Sequence, residues 1–371
     1  MNIFSNGYQL CKNRLSELKR IFSSLHFILL MALLVVIVGG ICLFSTFNQE
    51  EKSYELTGVA MGSYVKQTVY SNNGQAICDE AMRQIMKLEN FISWDKKGSD
   101  ISNLNQTAGG IGWTDVNDTT LSILLSCKNM YEKSNGAFDP TMLSVSSLWN
   151  FRDQNHHVPL VSEVSEALKH VNGKALQINS DLNRVKIFDR GVGVDLTPVE
   201  NGGACKIAVE SYRKLKADRA IVAVGGSIGV YGSKKNGKPW NVALKNPFDN
   251  SEANKSFAIL KVNSGFVTTV GLYDQSFTEN EILYHSILDP RTGYPVNSNV
   301  VSASVWHDDG VIADMLSRLC FVLDSNSLLN LLSDFNAKAV IVKNDKSVYV
   351  SKEIQELLVI TDKAFFLGTL D

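Results

Sequence analysis

The densest run of chemically capable residues is Asp289-Pro290-Arg291-Thr292-Gly293-Tyr294-Pro295, a carboxylate and a guanidinium on a segment with two prolines and a glycine. Proline fixes φ and glycine admits positive φ, so this spacing predicts a rigid reversal, and nothing in it alone requires catalysis. Gly225-Gly226-Ser227-Ile228-Gly229 follows an apolar run, as a dinucleotide-binding turn would. Its spacing is not that of the G-x-G-x-x-G fingerprint and no clear helix opens there, so it reads as a tight turn into the next strand. Asp314 lies in a helix-forming stretch, where by itself it is a surface or capping carboxylate. The six cysteines stand singly with no C-x-x-C pair. Scattered cysteines in a large domain pack as small apolar groups, and no function is assigned to them.

These residues need elements to position them. Tyr54 to Tyr70 alternates like a strand and is interrupted by Gly58 and Gly62, predicting a strand, a kink and a second strand. Ile77, Ala81, Ile85, Leu88 and Phe91 recur at helical intervals and give one face of an amphipathic helix. A second helix follows Asp118 and ends at Gly136, and a third opens at Ser162 towards Val171. Arg219 to Val224 reads as a buried strand, with further strands at Ala258 to Val262, Glu281 to Leu288, Val300 to Trp306 and Ala339 to Val342. Helices are predicted at Gly310 to Leu323 and Ser327 to Leu332. Alternation of the two kinds predicts a mixed α/β (α+β) class.

The chain has 371 residues, 44% hydrophobic and 20% charged, and a net charge of -2. Apolar content suffices for a sizeable core, and no basic footprint argues for nucleic acid. Leu25 to Phe47 is apolar enough to cross a bilayer, with Lys12, Arg14, Lys19 and Arg20 before it and Glu50 and Glu51 after it. The positive-inside rule then predicts a cytoplasmic segment 1–24, an uncleaved signal anchor 25–47, and an extracytoplasmic domain 48–371 in the cell membrane. A cleaved signal peptide competes, but the run is long for one and no small-x-small site ends it.

Read in order, Met61-Gly62-Ser63, the run from Ser99 to Asn105, the run from Gly136 to Thr141, Val194-Asp195-Leu196, Gly225-Gly226, the run from Ile287 to Pro295 and Ile312-Ala313-Asp314 follow the landmarks of one family. From Tyr54 to Leu332 the chain resembles the ApbE family of flavin transferases. The resemblance implies a single α/β domain holding FAD in a cleft. It further implies a Mg²⁺-dependent FAD:protein FMN transferase that attaches FMN to a Ser or Thr of an exported flavoprotein subunit and releases AMP. A divalent cation on the two phosphates would neutralise charge and activate the leaving group. By the same resemblance Met61, Trp94, Ala137, Phe138, Asp139, Asp195, Asn201 and Ile287 fall at FAD contacts. Asp314 falls on a Mg²⁺ carboxylate ligand, with oxygens near Pro198 and Ser317 completing the shell, and His285 and Asp289 are the candidates for catalysis.

The pattern also departs from the family. Where members read roughly D-L-G-A-V-G-K-G-I-A-C-D, this chain carries Thr197, Glu200, Asn201 and Lys206 at changed positions. The residue ahead of Ile287, usually His, is Ser286, and His285 stands one place earlier, facing the other side of the strand. Arg318 replaces a Thr metal ligand one turn after Asp314, and a guanidinium has no lone pair for Mg²⁺. It is expected to lie within about 4 Å of Asp314 as an ion pair, on the same helical face. These changes give a second expectation: a catalytically impaired flavin-binding or flavoprotein-assembly protein.

Overall fold

The structure is a computed structural model and describes residues 52–152, 156–249 and 255–370. The predicted cytoplasmic segment and signal anchor lie outside the described residues. Among the described residues no helix is long and apolar enough to cross a membrane.

A nine-stranded sheet forms the centre. Its strands are β1 (Ser53–Ala60), β2 (Ser63–Tyr70), β3 (Arg219–Val224), β4 (Ser227–Tyr231), β5 (Gly265–Gly271), β6 (Val300–His307), β7 (Lys338–Lys343), β8 (Ser347–Ser351) and β9 (Phe366–Leu370). They lie side by side in chain order, antiparallel except for the parallel pair β8 and β9. The helices are α1 (Gly74–Ile92), α2 (Asp100–Gln106), α3 (Asp118–Lys133), α4 (Leu143–Trp149), α5 (Val161–Leu168), α6 (Glu200–Lys214), α7 (Gly310–Val322) and α8 (Ser325–Asp334).

Alternating strand side chains face two different cores. Val222, Val224, Ala303 and Val305 pack with Ile85 and Leu88 of α1, Ala204 and Ala208 of α6 and Leu316 of α7. Val230, Val267, Val340 and Val342 face a small sheet formed by Trp240–Lys245, Ser256–Val262 and Leu358–Ile360. Covering on both faces explains why β7 reads as a continuous apolar run.

Most predicted elements are present, with local differences. Gly58 does not kink the chain: β1 runs through it, and the reversal lies at Met61 and Gly62, both at positive φ. Asn117 rather than Asp118 caps α3, accepting from the amides of Thr119 and Thr120. The third helix begins at Val161, and the strand predicted over 281–288 shortens to Ile282–His285. The four described cysteines outside the predicted anchor are free and buried.

Candidate functional site

Two helices cross where glycine allows it. A Cβ on Gly202 would lie 2.1 Å from the Gly310 carbonyl oxygen and 2.7 Å from Cγ of Asp314. Glycine at both positions lets the start of α6 touch the start of α7, and the Gly202 amide donates to Asp314 Oδ2 at 2.6 Å. The other carboxylate oxygen accepts from Ser227 Oγ and Thr268 Oγ1, each at 2.8 Å. Burial pushes the Asp314 carboxyl up to about 6, against the lowering effect of these donors.

Asp314 stands on one wall of a cleft with two lobes. The first, of about 920 Å³ and open to solvent, is apolar: Trp94, Phe138, Met142, Phe151, Ile287 and Leu288 are among its walls. The second is polar, lined by Gly225 and Gly226 of the turn between β3 and β4, by the hydroxyl residues Ser63, Ser227 and Thr268, and by Asp274 and Asn201. A side chain on Gly226 would strike the Thr269 carbonyl oxygen at 2.3 Å, so the turn demands glycine. Thr197, Pro198, Gln275, Ser286 and Arg318 line both lobes and mark their junction.

The expected flavin contacts fall mainly on the apolar lobe: Trp94, Ala137, Phe138, Asp139, Asp195 and Ile287 all line it. The two carboxylates among them are engaged within the protein. Asp139 accepts from the amides of Thr141 and Gly173 and from the Thr141 hydroxyl, and burial raises its pKa despite these bonds. Asp195 accepts from Ser146 Oγ at 2.7 Å and the Thr197 amide at 2.9 Å, which fixes the turn leading into α6. Met61 is buried within the β1–β2 turn and lines neither lobe, though its neighbours Gly62 and Ser63 line the polar one; its amide donates to Glu89. Asn201 lines the polar lobe, and its Oδ1 is buried without a hydrogen-bond partner.

Neither catalytic candidate faces the cleft. His285 is buried, its Nδ1 accepting from the Ile287 amide at 3.3 Å and its Nε2 lying 3.2 Å from the Val296 carbonyl oxygen. Burial lowers its pKa, and the ring braces the loop from behind while Ser286 takes the place on the cleft. Asp289 binds the amide, Nε and Nη2 of Arg291 inside the turn. Burial raises its carboxyl, but the Arg291 bonds more than offset this and hold it below the usual range. The turn is pinned from below by Trp149 Nε1, which donates to Gly293 O at 2.8 Å. Lys206 is also away from the cleft, paired with Asp309 at 2.6 Å where Asp309 caps α7.

The expected metal ligands meet a different cation. Arg318 Nε donates to the Pro198 carbonyl oxygen at 3.2 Å, rather than to Asp314, whose oxygens already hold three donors. Ser317 is fully buried, with its hydroxyl returned to the Asp314 carbonyl oxygen at 2.9 Å. The Pro198 carbonyl oxygen, both Asp314 carboxylate oxygens and the Ser317 hydroxyl thus each have a protein partner here. The expected direct Arg318–Asp314 ion pair is replaced by longer-range attraction: burial lowers the arginine's pKa, while Asp314, Asp195, Glu200 and Asp274 raise it. Glu200 pairs with Arg152, and burial nevertheless pushes its carboxyl up to about 7.

Sequence reasoning missed Arg152, Asp274 and Gln275 as cleft residues, because nothing in a lone charged or amide residue marks its neighbours in space. The close contact of Gly202 with Gly310 was equally hidden, although a glycine pair opening one helix and a glycine opening another are the signal it leaves.

Comparison with known proteins agrees with the geometry. The ApbE family profile matches residues 61–341. Among curated relatives, the FAD:protein FMN transferase of Treponema pallidum is 27% identical over 335 residues, covering 85% of this chain and 91% of the relative. That of Haemophilus influenzae is 26% identical over 82% of this chain and 90% of its own length. The solved ApbE protein of Thermotoga maritima superposes with a TM-score of 0.75 at 28% identity, covering 82% of this chain and 99% of that one. The flavin transferase ApbE of Vibrio cholerae shares the fold, with a TM-score of 0.73 at 21% identity over 83% of this chain and all of that one. With the family profile spanning most of its length, the chain belongs to the ApbE family.

Proposed function

We propose that this protein binds FAD across the two lobes and transfers FMN from it to a Ser or Thr hydroxyl of an exported flavoprotein subunit, releasing AMP. The observation that carries the reading is the division of the cleft into an apolar lobe with Trp94 and a polar lobe with hydroxyls and a glycine turn, joined at a fixed cation. Such a division suits a dinucleotide, whose rings are apolar and whose diphosphate is not. Trp94 supplies a face for ring stacking, and the Gly225-Gly226 turn and the start of α6 let backbone approach phosphate closely.

In the transfer the acceptor hydroxyl oxygen forms a bond to the FMN-side phosphorus. The P–O bond to AMP breaks, and AMP carries away the electron pair. The hydroxyl proton needs a base, and Asp274 is a carboxylate on the wall of the polar lobe with open access to solvent. Magnesium is not required by this reading, because Arg318 supplies a cation at the lobe junction and takes the Pro198 carbonyl oxygen expected to hold the metal. We also keep the anchoring of residues 25–47 in the cell membrane, with the domain outside, as part of the proposal.

Incubating the full chain in detergent with FAD and an acceptor flavoprotein domain tests the reading. A flavin-fluorescent acceptor band and stoichiometric AMP are expected. A specific observation favours a second reading, a flavin-binding assembly protein without turnover: among the described residues no imidazole lines either lobe, since His285 is turned behind the loop. Retention of FAD with neither AMP nor a labelled acceptor would select it.

A further inference from the structure

We infer that Arg318 is the resident cation for the diphosphate of the bound dinucleotide, standing where a divalent metal would otherwise be needed, so that FAD binding to this protein is independent of divalent metal. The inference rests on the proposed reading of the cleft as an FAD site.

Four observations carry it. First, Arg318 lines both lobes, at the junction that a diphosphate linking two ring systems would occupy. Second, among the described residues the guanidinium uses one donor, Nε, on the Pro198 carbonyl oxygen. A guanidinium has five N–H donors in a rigid fork, and the others remain available for phosphate oxygens. Third, three of the four carboxylates that attract it are held by other donors: Asp195 by Ser146 and Thr197, Glu200 by Arg152, and Asp314 by Gly202, Ser227 and Thr268. They attract the arginine electrostatically without closing its fork. Fourth, the Pro198 oxygen that a metal would need is already occupied by the arginine, and a second cation beside it would be repelled.

A half-buried, permanently charged donor that faces a cleft is placed to meet an anion entering it. Arg318 is half-buried, open towards the cleft and enclosed by protein elsewhere. Its fork matches two phosphate oxygens at once, as a diphosphate diester presents them. AMP, ADP and FAD share this chemistry to different extents, so FAD and ADP are both used as probes.

Calorimetric titration of the full chain with FAD and with ADP, in EDTA and in millimolar Mg²⁺, tests the inference without any variant. The wild-type affinity for each probe is expected to agree within about twofold between the two buffers. A rise of tenfold or more on adding Mg²⁺ would overturn the inference while leaving FAD binding intact. Arg318→Met is expected to weaken FAD about tenfold to a hundredfold in EDTA, the worth of hydrogen bonds to a charged group. Arg318→Thr should also bind weakly in EDTA but recover when Mg²⁺ is added, because the Pro198 oxygen is then released. Thermal midpoints of the variants report whether they fold, and should they not, the wild-type comparison decides. A folded Arg318→Met that binds FAD as tightly as wild type in EDTA would contradict the inference. Failure of wild type to bind FAD in either buffer removes the proposed function, and the inference with it.

Discussion

The two lobes of the cleft are made by different physics. The apolar lobe is built from side chains, Trp94, Phe138, Met142, Phe151 and Ile287, whose contacts are many and individually weak. The polar lobe is built from close backbone approaches, at Gly202 with Gly310 and at Gly226 with Thr269, and from charges with assigned partners. A wall of the first kind tolerates exchange at a moderate loss. A wall of the second kind has little tolerance, because a backbone cannot move aside as a side chain does.

This contrast orders the expected effects. The largest belongs to Gly310→Val: a Cβ there would sit 2.2 Å from the Gly202 carbonyl oxygen, so α6 and α7 must separate and the Gly202–Asp314 bond is lost. Urea unfolding should show a destabilisation of about 3 kcal/mol or more. A variant as stable as wild type would mean that the helix crossing is not what holds Asp314. Trp94→Ala, on the tolerant side, should leave folding intact and weaken FAD by about tenfold through lost stacking and burial, read by calorimetry. Unchanged affinity would place the rings elsewhere.

A smaller effect concerns pH. Glu200 ordinarily titrates near 4.5 and in the fold near 7, with Arg152, Arg318 and Asp195 as its charged neighbours. The folded state thus holds this proton more tightly than the unfolded chain. Its contribution to stability is fully present below pH 4.5 and is lost as pH rises through 7. Between those values Glu200→Gln should flatten the pH dependence of the thermal midpoint. A variant with the wild-type slope would assign that slope to other groups. The smallest effect is expected at His285. His285→Gln should change FAD affinity by less than about twofold at saturating pH control, because the ring lies behind the loop and only the loop's bracing is altered. A large loss of affinity would show that the bracing sets the shape of the cleft.

Legibility in the sequence followed the same division. Periodicity placed α1, α7 and the strands β3, β6 and β7 within a few residues, since each has an apolar pattern tied to one face or to full burial. The short helices α2 and α4 went unread: seven residues carry less than two turns of pattern. Helix α6 also went unread: Pro198 precedes it and two glycines stand in its first turn, which weakens its helical pattern. The apolar side of the site was legible through resemblance, which pointed to Trp94, Phe138 and Ile287. The partners of Arg318 were not, because whether a guanidinium bonds Asp314 or the Pro198 carbonyl depends on donors arriving from Gly202, Ser227 and Thr268 on other elements.

The measurement that tests this account most directly is a crystal structure of the protein with FAD in EDTA. The account predicts one flavin or adenine ring against Trp94 and diphosphate oxygens within hydrogen-bond reach of the Arg318 guanidinium, with no metal between them. FAD bound with its diphosphate away from Arg318, or held there only after Mg²⁺ is added, would contradict it.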